Sequence, residues 1–189
     1  KDTEAVVDRV RDFASLPPAL RDMLLANLIM VGEIPAPSFH EEARVRFLQN
    51  RFCEAGLQNC STDEVGNGFG ILPGNGDRNI LVVAHADTHF SEKVPHELKV
   101  QPDCVSGPGV GDNSLGLALI VTLPAILEQL GLSLESNLIL MGAARGLGRG
   151  NLQGLRFFLE NNTMPIHAGL VIEGVPLGRI CYRSIGMLR

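Results

Sequence analysis

The chain has 189 residues, 45 % of them hydrophobic, and a net charge of −5. That length and apolar share predict one compact domain, or at most two small ones, with a full core. The acidic balance, without a local Lys/Arg excess, argues against a nucleic-acid surface or a basic membrane patch. Arg44, Arg46 and Arg51 are interleaved with Glu41, Glu42 and Glu54, as on a solvated helix face.

In chain order, Val6, Val7, Val10 and Phe13 recur at helical spacing over residues 4 to 14, and a second, Leu- and Met-rich helix is predicted over 19–30, after the prolines at 17 and 18. "EIPAPS" must be extended, because each Pro disfavours helix in the residue before it. Ser38 and Glu41 form a capping-box pattern opening a helix through Phe47, Leu48 and Phe52 to about Ala55, which Gly56 ends.

Strand signals follow in "NCSTDEV" and "GNGFGIL", with turn chemistry in "PGNGDR". "NILVVAH" is a short apolar run suited to a central strand covered on both faces. Residues 91 to 106 read as irregular with room for a short strand, and "GPGVGDNS" as a Gly-rich loop. "LGLALIVTLPAILEQL" reads as a helix that Pro124 kinks or breaks. "NLILMGA" is a buried strand, "GNLQGLRFFLENN" a helix, "AGLVIEG" a strand and "GRICYRSIG" a last strand. Apolar strands alternating with helices predict an α/β fold with a layered sheet. No stretch reads as long enough to span a bilayer. Cys53, Cys60, Cys104 and Cys181 lack CxxC spacing and read as free thiols of a reducing compartment. With no signal peptide evident, the expected location is the cytoplasm. The chain begins at Lys1, so a removed leader stays open.

Three segments could carry chemistry. His85 and Asp87 lie at the carboxyl end of a predicted buried strand, where open α/β sheets place ligands. If the strand persists, the two share a face, so the carboxylate can accept a proton from one ring nitrogen and leave the other free for a metal. Asp112 lies in the Gly-rich loop, and Glu173 ends an apolar strand, where an acid needs solvent or a partner. Each has a plainer reading taken alone: a solvated strand end for His85–Asp87 and for Glu173, a helix cap for Asp112 or Asn113. Together they gather one imidazole and two carboxylates on one sheet rim, a set suited to zinc, manganese or cobalt. His40, His89 and His96 lack such support.

"IPAPSFHEE", "VVAHADT", "GPGVGDNSLGLA", "GLGRGNLQG" and "LVIEG" resemble, in order and spacing, the signatures of the two-zinc exopeptidases and amidases that include peptidase T, aminoacylase and glutamate carboxypeptidase. The resemblance spans roughly residues 20 to 189 and implies an α/β fold of three layers (αβα) around a mixed, mostly parallel central sheet. It implies His85 as a zinc ligand, Asp87 as its orienting partner, Asp112 as the bridge between two zincs, Glu173 as a ligand, and hydrolysis of peptide or N-acyl amino-acid amide bonds by metal-activated water. The family's Glu-Glu pair, a general base followed by a ligand of the second zinc, falls on Ala144 and Arg145. At most one zinc site is then complete. Arg145 could pair with Asp112 or Glu173 in place of the lost metal's charge, or repel a metal from the first site. The resemblance also implies that residues 1–189 are the N-terminal part of the catalytic domain, with the lid or dimerisation domain and the C-terminal part absent. A homodimer is expected only if the full protein carries that lid. Two functions compete: an impaired metallopeptidase-like hydrolase, and a non-catalytic pseudoenzyme that binds peptide or metal.

Overall fold

A computed structural model describes residues 17–174 and 179–182, together with residues 4, 7, 8 and 11. Those last four are helical, and the rest of the helix predicted over residues 4 to 14 lies outside the described residues. The elements run α1 (Pro18–Gly32), α2 (Glu42–Glu54), β1 (Gln58–Thr62), β2 (Gly68–Leu72), β3 (Asn79–His85), β4 (Lys99–Val100), β5 (Val105–Ser106), α3 (Leu115–Gln129), β6 (Asn137–Ala143), α4 (Gln153–Asn161) and β7 (Ala168–Val171).

Five strands form one sheet in the order β1-β2-β6-β3-β7. β3 runs parallel to β6 and β7, whereas β2 is antiparallel to both β1 and β6. The sheet is mixed. β4 and β5 make a separate antiparallel pair.

The apolar runs of β3 and β6 follow from their central place, because each covers two faces. Val82, Ala84, Leu138 and Leu140 point to one side, against Val31, Leu48, Phe52, Leu117 and Ile120 of α1, α2 and α3. Leu81, Val83, Ile139 and Met141 point to the other, against Phe158 of α4. The period-2 alternation thus feeds two cores and defines three layers. Burying side chains such as Phe52 or Leu48 is worth about 1.5–3 kcal/mol each. Phe158 also meets Phe69 edge to face, ring centroids 5.4 Å apart. Between α1 and α3, Asn27 Nδ2 donates to Thr122 Oγ1 at 3.0 Å, so a buried amide is satisfied.

Some of these expectations hold and others are corrected. α3 runs through Pro124 without a break. The segment Val110–Gln129 is, by length and composition, apolar enough to cross a membrane, contrary to the sequence reading. Half of it is buried in this domain, where it serves as the core helix between α1 and the sheet. Ser38 caps no helix: α2 starts at Glu42, without a side-chain capping bond. Gly56 does end α2, in the left-handed conformation (φ +74°) that favours glycine, with Gly56 N donating to Cys53 O and Leu57 N to Phe52 O. The face of α2 is not uniformly solvated either. Arg44 and Glu41 are buried while Arg46, Glu42 and Glu54 are exposed. Residues 179–182 form no strand, and the remainder of the expected last strand lies outside the described residues. Cys53, Cys60, Cys104 and Cys181 are free thiols.

Candidate metal centre

β3, β6 and β7 run parallel, so their carboxyl ends meet on one rim. His85 pairs with Ala143 across β3 and β6, and Val83 pairs with Val171 across β3 and β7. Glu173, two residues beyond β7, therefore reaches the level of His85. Asp112 arrives from the loop between β5 and α3, where the peptide joining it to Asn113 is cis.

The rim brings one nitrogen and two carboxylates together. His85 Nε2 lies 2.8 Å from Asp112 Oδ1 and 3.6 Å from Glu173 Oε2. The three donor atoms all lie within 4.8 Å of one another. The imidazole is buried, whereas Asp112 and Glu173 face solvent with about half of their side chains. That suits a site with a fixed nitrogen and an open side.

The other ring nitrogen is held from beneath. His85 Nδ1 lies 2.9 Å from the Asp87 carbonyl oxygen and 3.2 Å from Asp87 Oδ1. Both are acceptors, so Nδ1 carries a proton. Nε2 also faces acceptors, which favours a proton on that nitrogen as well. Burial works against a charged ring, but hydrogen bonds to Asp87 and Asp112 and the Glu173 charge outweigh it and raise the His85 pKa to about 8. Asp87 is fully buried. Burial alone would push its pKa up, yet bonds from His85, Ser38 and the Leu147 N–H hold it at about 2. Burial raises the Glu173 pKa, the His85 charge opposing it and the Asp112 charge adding to it.

Ala144 and Arg145 follow β6 directly, and the loop they open is tied down by its backbone. Ala144 N donates to Asn67 Oδ1 (2.9 Å), Arg145 N to Glu41 Oε1 (2.8 Å), Gly146 N to Asp87 Oδ1 (3.0 Å) and Leu147 N to Asp87 Oδ2 (2.8 Å). Four successive N–H groups thus bind side-chain oxygens. Gly146 lies so close to the site that a Cβ there would sit 2.8 Å from Asp87 Oδ1 and 2.9 Å from His85 Cβ.

The side chains of this loop offer no ligand. Ala144 is a buried methyl. Arg145 turns to neither Asp112 nor Glu173. Its guanidinium lies 5.5 Å from the Phe39 ring centroid, and Nη1 donates to Gln153 Oε1 at 3.3 Å. The guanidinium does not replace a metal's charge among those acids. His40 and His89 are exposed. His96 is buried with Nε2 3.2 Å from Ser91 O. None of the three joins the triad, but His89 and Phe90 line, with Asp112, Glu173 and Leu115, a groove of about 820 Å³ beside it.

The sequence reading missed the support beneath the site. Ser38 Oγ donates to Asp87 Oδ2, Glu41 takes the Phe39 and Arg145 N–H groups, and Arg44 binds backbone carbonyls. One signal was available. Arg44, Leu48 and Phe52 are spaced by four, which places Arg44 on the buried face of α2.

No protein-family model matches the chain. In sequence it is similar to the uncharacterized protein YgeY of Escherichia coli (strain K12), 26 % identical over 147 residues, covering 74 % of this chain and 34 % of YgeY. In structure it is similar to Dug1p, a di-peptidase from Saccharomyces cerevisiae, with a TM-score of 0.70 at 12 % identity, covering 90 % of this chain and 40 % of that one. It is also similar to YxeP of Bacillus subtilis, a dinuclear metal binding peptidase of the M20 family, with a TM-score of 0.62 at 16 % identity, covering 83 % and 44 %. The chain shares the fold of these peptidase domains. This chain spans about a third of YgeY's length and two-fifths of Dug1p's, and it carries one candidate metal triad among the described residues.

Proposed function

We propose that this chain is the N-terminal part of a metallopeptidase-type catalytic domain, a slow one-metal hydrolase of peptide or N-acyl amino-acid amide bonds. The observation that carries this reading is the convergence of His85, Asp112 and Glu173 within 4.8 Å. One imidazole and two carboxylates suit zinc, and also manganese or cobalt. A bound ion of this kind supplies Lewis-acid polarisation of a carbonyl and acidifies water. His85 would offer Nε2, Asp112 and Glu173 their oxygens, and Asp87 fixes the ring through Nδ1.

What is lost is the proton acceptor. A positioned general base contributes about 10²- to 10⁴-fold in rate, and the methyl of Ala144 cannot supply it. The Arg145 side chain, directed at Phe39 and Gln153, supplies no ligand for a second ion. The partners of this reading are small peptides or acyl amino acids, not nucleic acid or membrane. The four free thiols favour the cytoplasm, and a homodimer is expected only with a lid domain in the full protein.

The same Ala144 methyl favours a second reading, in which the site binds metal or peptide without turnover. Hydrolysis of a dipeptide and of an N-acyl amino acid, with zinc added, separates the two. The hydrolase reading predicts slow, zinc-dependent turnover that disappears in His85→Ala. It also predicts a gain approaching 10²- to 10⁴-fold when Ala144→Glu and Arg145→Glu are made together. Zinc binding without any turnover, before and after that repair, leaves the binding reading in its place.

A further inference from the structure

Arg44 is wholly buried, and a buried cation is tolerated only where its charge is met. Its donors go to three backbone carbonyls: Nε to Ile34 O at 2.8 Å, Nη1 to Ala86 O at 3.3 Å and Nη2 to Gly32 O at 3.4 Å. Gly32 ends α1, where the helix dipole collects negative partial charge. Burial draws the Arg44 pKa down to about 10, and the nearby Asp87 charge draws it up, so the side chain stays charged at neutral pH.

The Ala86 carbonyl matters because of its neighbours. Ala86 joins His85, whose Nε2 faces Asp112 and Glu173, to Asp87, which holds the same ring by Nδ1. The peptide groups around it are gripped from several sides. Ala86 N donates to Ala143 O at 2.7 Å, and Thr88 N donates to Ala36 O at 2.8 Å. Arg44 holds the remaining carbonyl. Because a peptide unit is planar, fixing that oxygen fixes the plane from which Asp87 departs. The planar guanidinium is suited to bind three carbonyls at once, which a lysine ammonium on a flexible stem is not.

We propose that Arg44 is a positioning residue of the metal centre: by binding the Ala86 carbonyl it sets the His85–Asp87 backbone and so aims His85 Nε2 at Asp112 and Glu173. This rests on the metal-centre reading above. It makes the entry to α2, remote in sequence from every ligand, part of what determines metal affinity.

The test compares the protein with its Arg44→Met and Arg44→Lys variants, by zinc titration, by the visible absorption of the cobalt(II) form, and by the His85 ring signals in NMR of the metal-free protein. All are read at a temperature where circular dichroism reports native structure. The expected result is a 10- to 100-fold loss of zinc affinity, the range for groups that orient a metal-bound histidine, with a changed cobalt spectrum and shifted His85 signals. Arg44→Lys, which keeps the charge and most of the length, gives the same comparison if Arg44→Met does not fold. A folded variant with unchanged affinity, cobalt spectrum and His85 signals overturns the proposal, since a purely structural Arg44 would lower only the melting temperature. A parent protein that binds no zinc overturns the metal-centre reading instead. The His85 signals then still decide the role of Arg44.

Discussion

His85 Nε2 and Asp112 Oδ1 lie 2.8 Å apart, within hydrogen-bonding distance, so the ring nitrogen and the carboxylate converge on one point of the rim. Glu173 waits at 3.6 Å on the same nitrogen. The triad is closed by a hydrogen bond rather than by packing, since Asp112 keeps about half of its side chain in solvent.

Asp112→Ala therefore separates binding from folding. Losing the bond to the buried His85 ring is expected to cost the metal-free protein roughly 1–2 kcal/mol, the half-exposed carboxylate being partly screened. Zinc at a hundred times its dissociation constant should stabilise the parent by about 2.7 kcal/mol, and the variant by far less. Thermal melts with and without zinc measure both effects.

Gly146→Ala tests the close approach of the loop to the site. The added methyl would meet Asp87 Oδ1 and His85 Cβ below 3 Å, and neither can retreat, because both belong to the hydrogen-bonded cluster. The expected cost is about 1–3 kcal/mol, as for other overpacked positions, together with weaker zinc binding. Denaturant unfolding read alongside a zinc titration checks the pair of effects.

Ser38→Ala removes the hydroxyl that donates to Asp87 Oδ2. Hydrogen bonds to a charged group contribute about 1.5–3 kcal/mol, and Asp87 is buried, so a loss of that order is expected. A helix-capping role would cost less, typically about 1 kcal/mol, and would fray α2. Amide exchange at the start of α2 should stay as in the parent.

Glu41→Gln gives a pH dependence of known sign. Burial raises the Glu41 pKa above 4.5, the Arg145 and Phe39 N–H groups hold it down in part, and the Asp87 charge raises it further. A folded-state pKa above the unfolded one means stability that is fully present below about pH 4.5 and is lost as pH rises through the folded value. Glutamine keeps the Oε1 acceptor without the ionisation. The stability of Glu41→Gln relative to the parent should thus improve between pH 4 and pH 7, as followed by urea unfolding at each pH.

The fold was largely legible because its main signals are local. "NILVVAH" and "NLILMGA" are apolar throughout since both strands are covered on two faces, and Gly56 stops α2 by its own backbone. The convergence of His85, Asp112 and Glu173 was legible as three weak signals on one predicted rim. The support beneath it was not. Ser38 and Glu41 satisfy the spacing of a capping box, but Ser38 donates to Asp87, 49 residues away, and Glu41 takes the N–H of Arg145, 104 residues away, besides that of nearby Phe39. The spacing is there, and the bonds that hold the site are the long-range ones. Arg44 was misread for a related reason: alternating charges suggest solvent, and only the spacing to Leu48 and Phe52 reveals a buried face. The direction of Arg145 depends on Phe39 and Gln153, which no neighbouring residue announces.

Metal stoichiometry tests the central claim most directly. The purified protein, freed of metal by chelation and titrated with zinc in a calorimeter, should bind one ion per chain, and His85→Ala should abolish that binding. Two ions per chain, or one ion that His85→Ala leaves in place, would contradict the one-metal centre built on His85, Asp112 and Glu173.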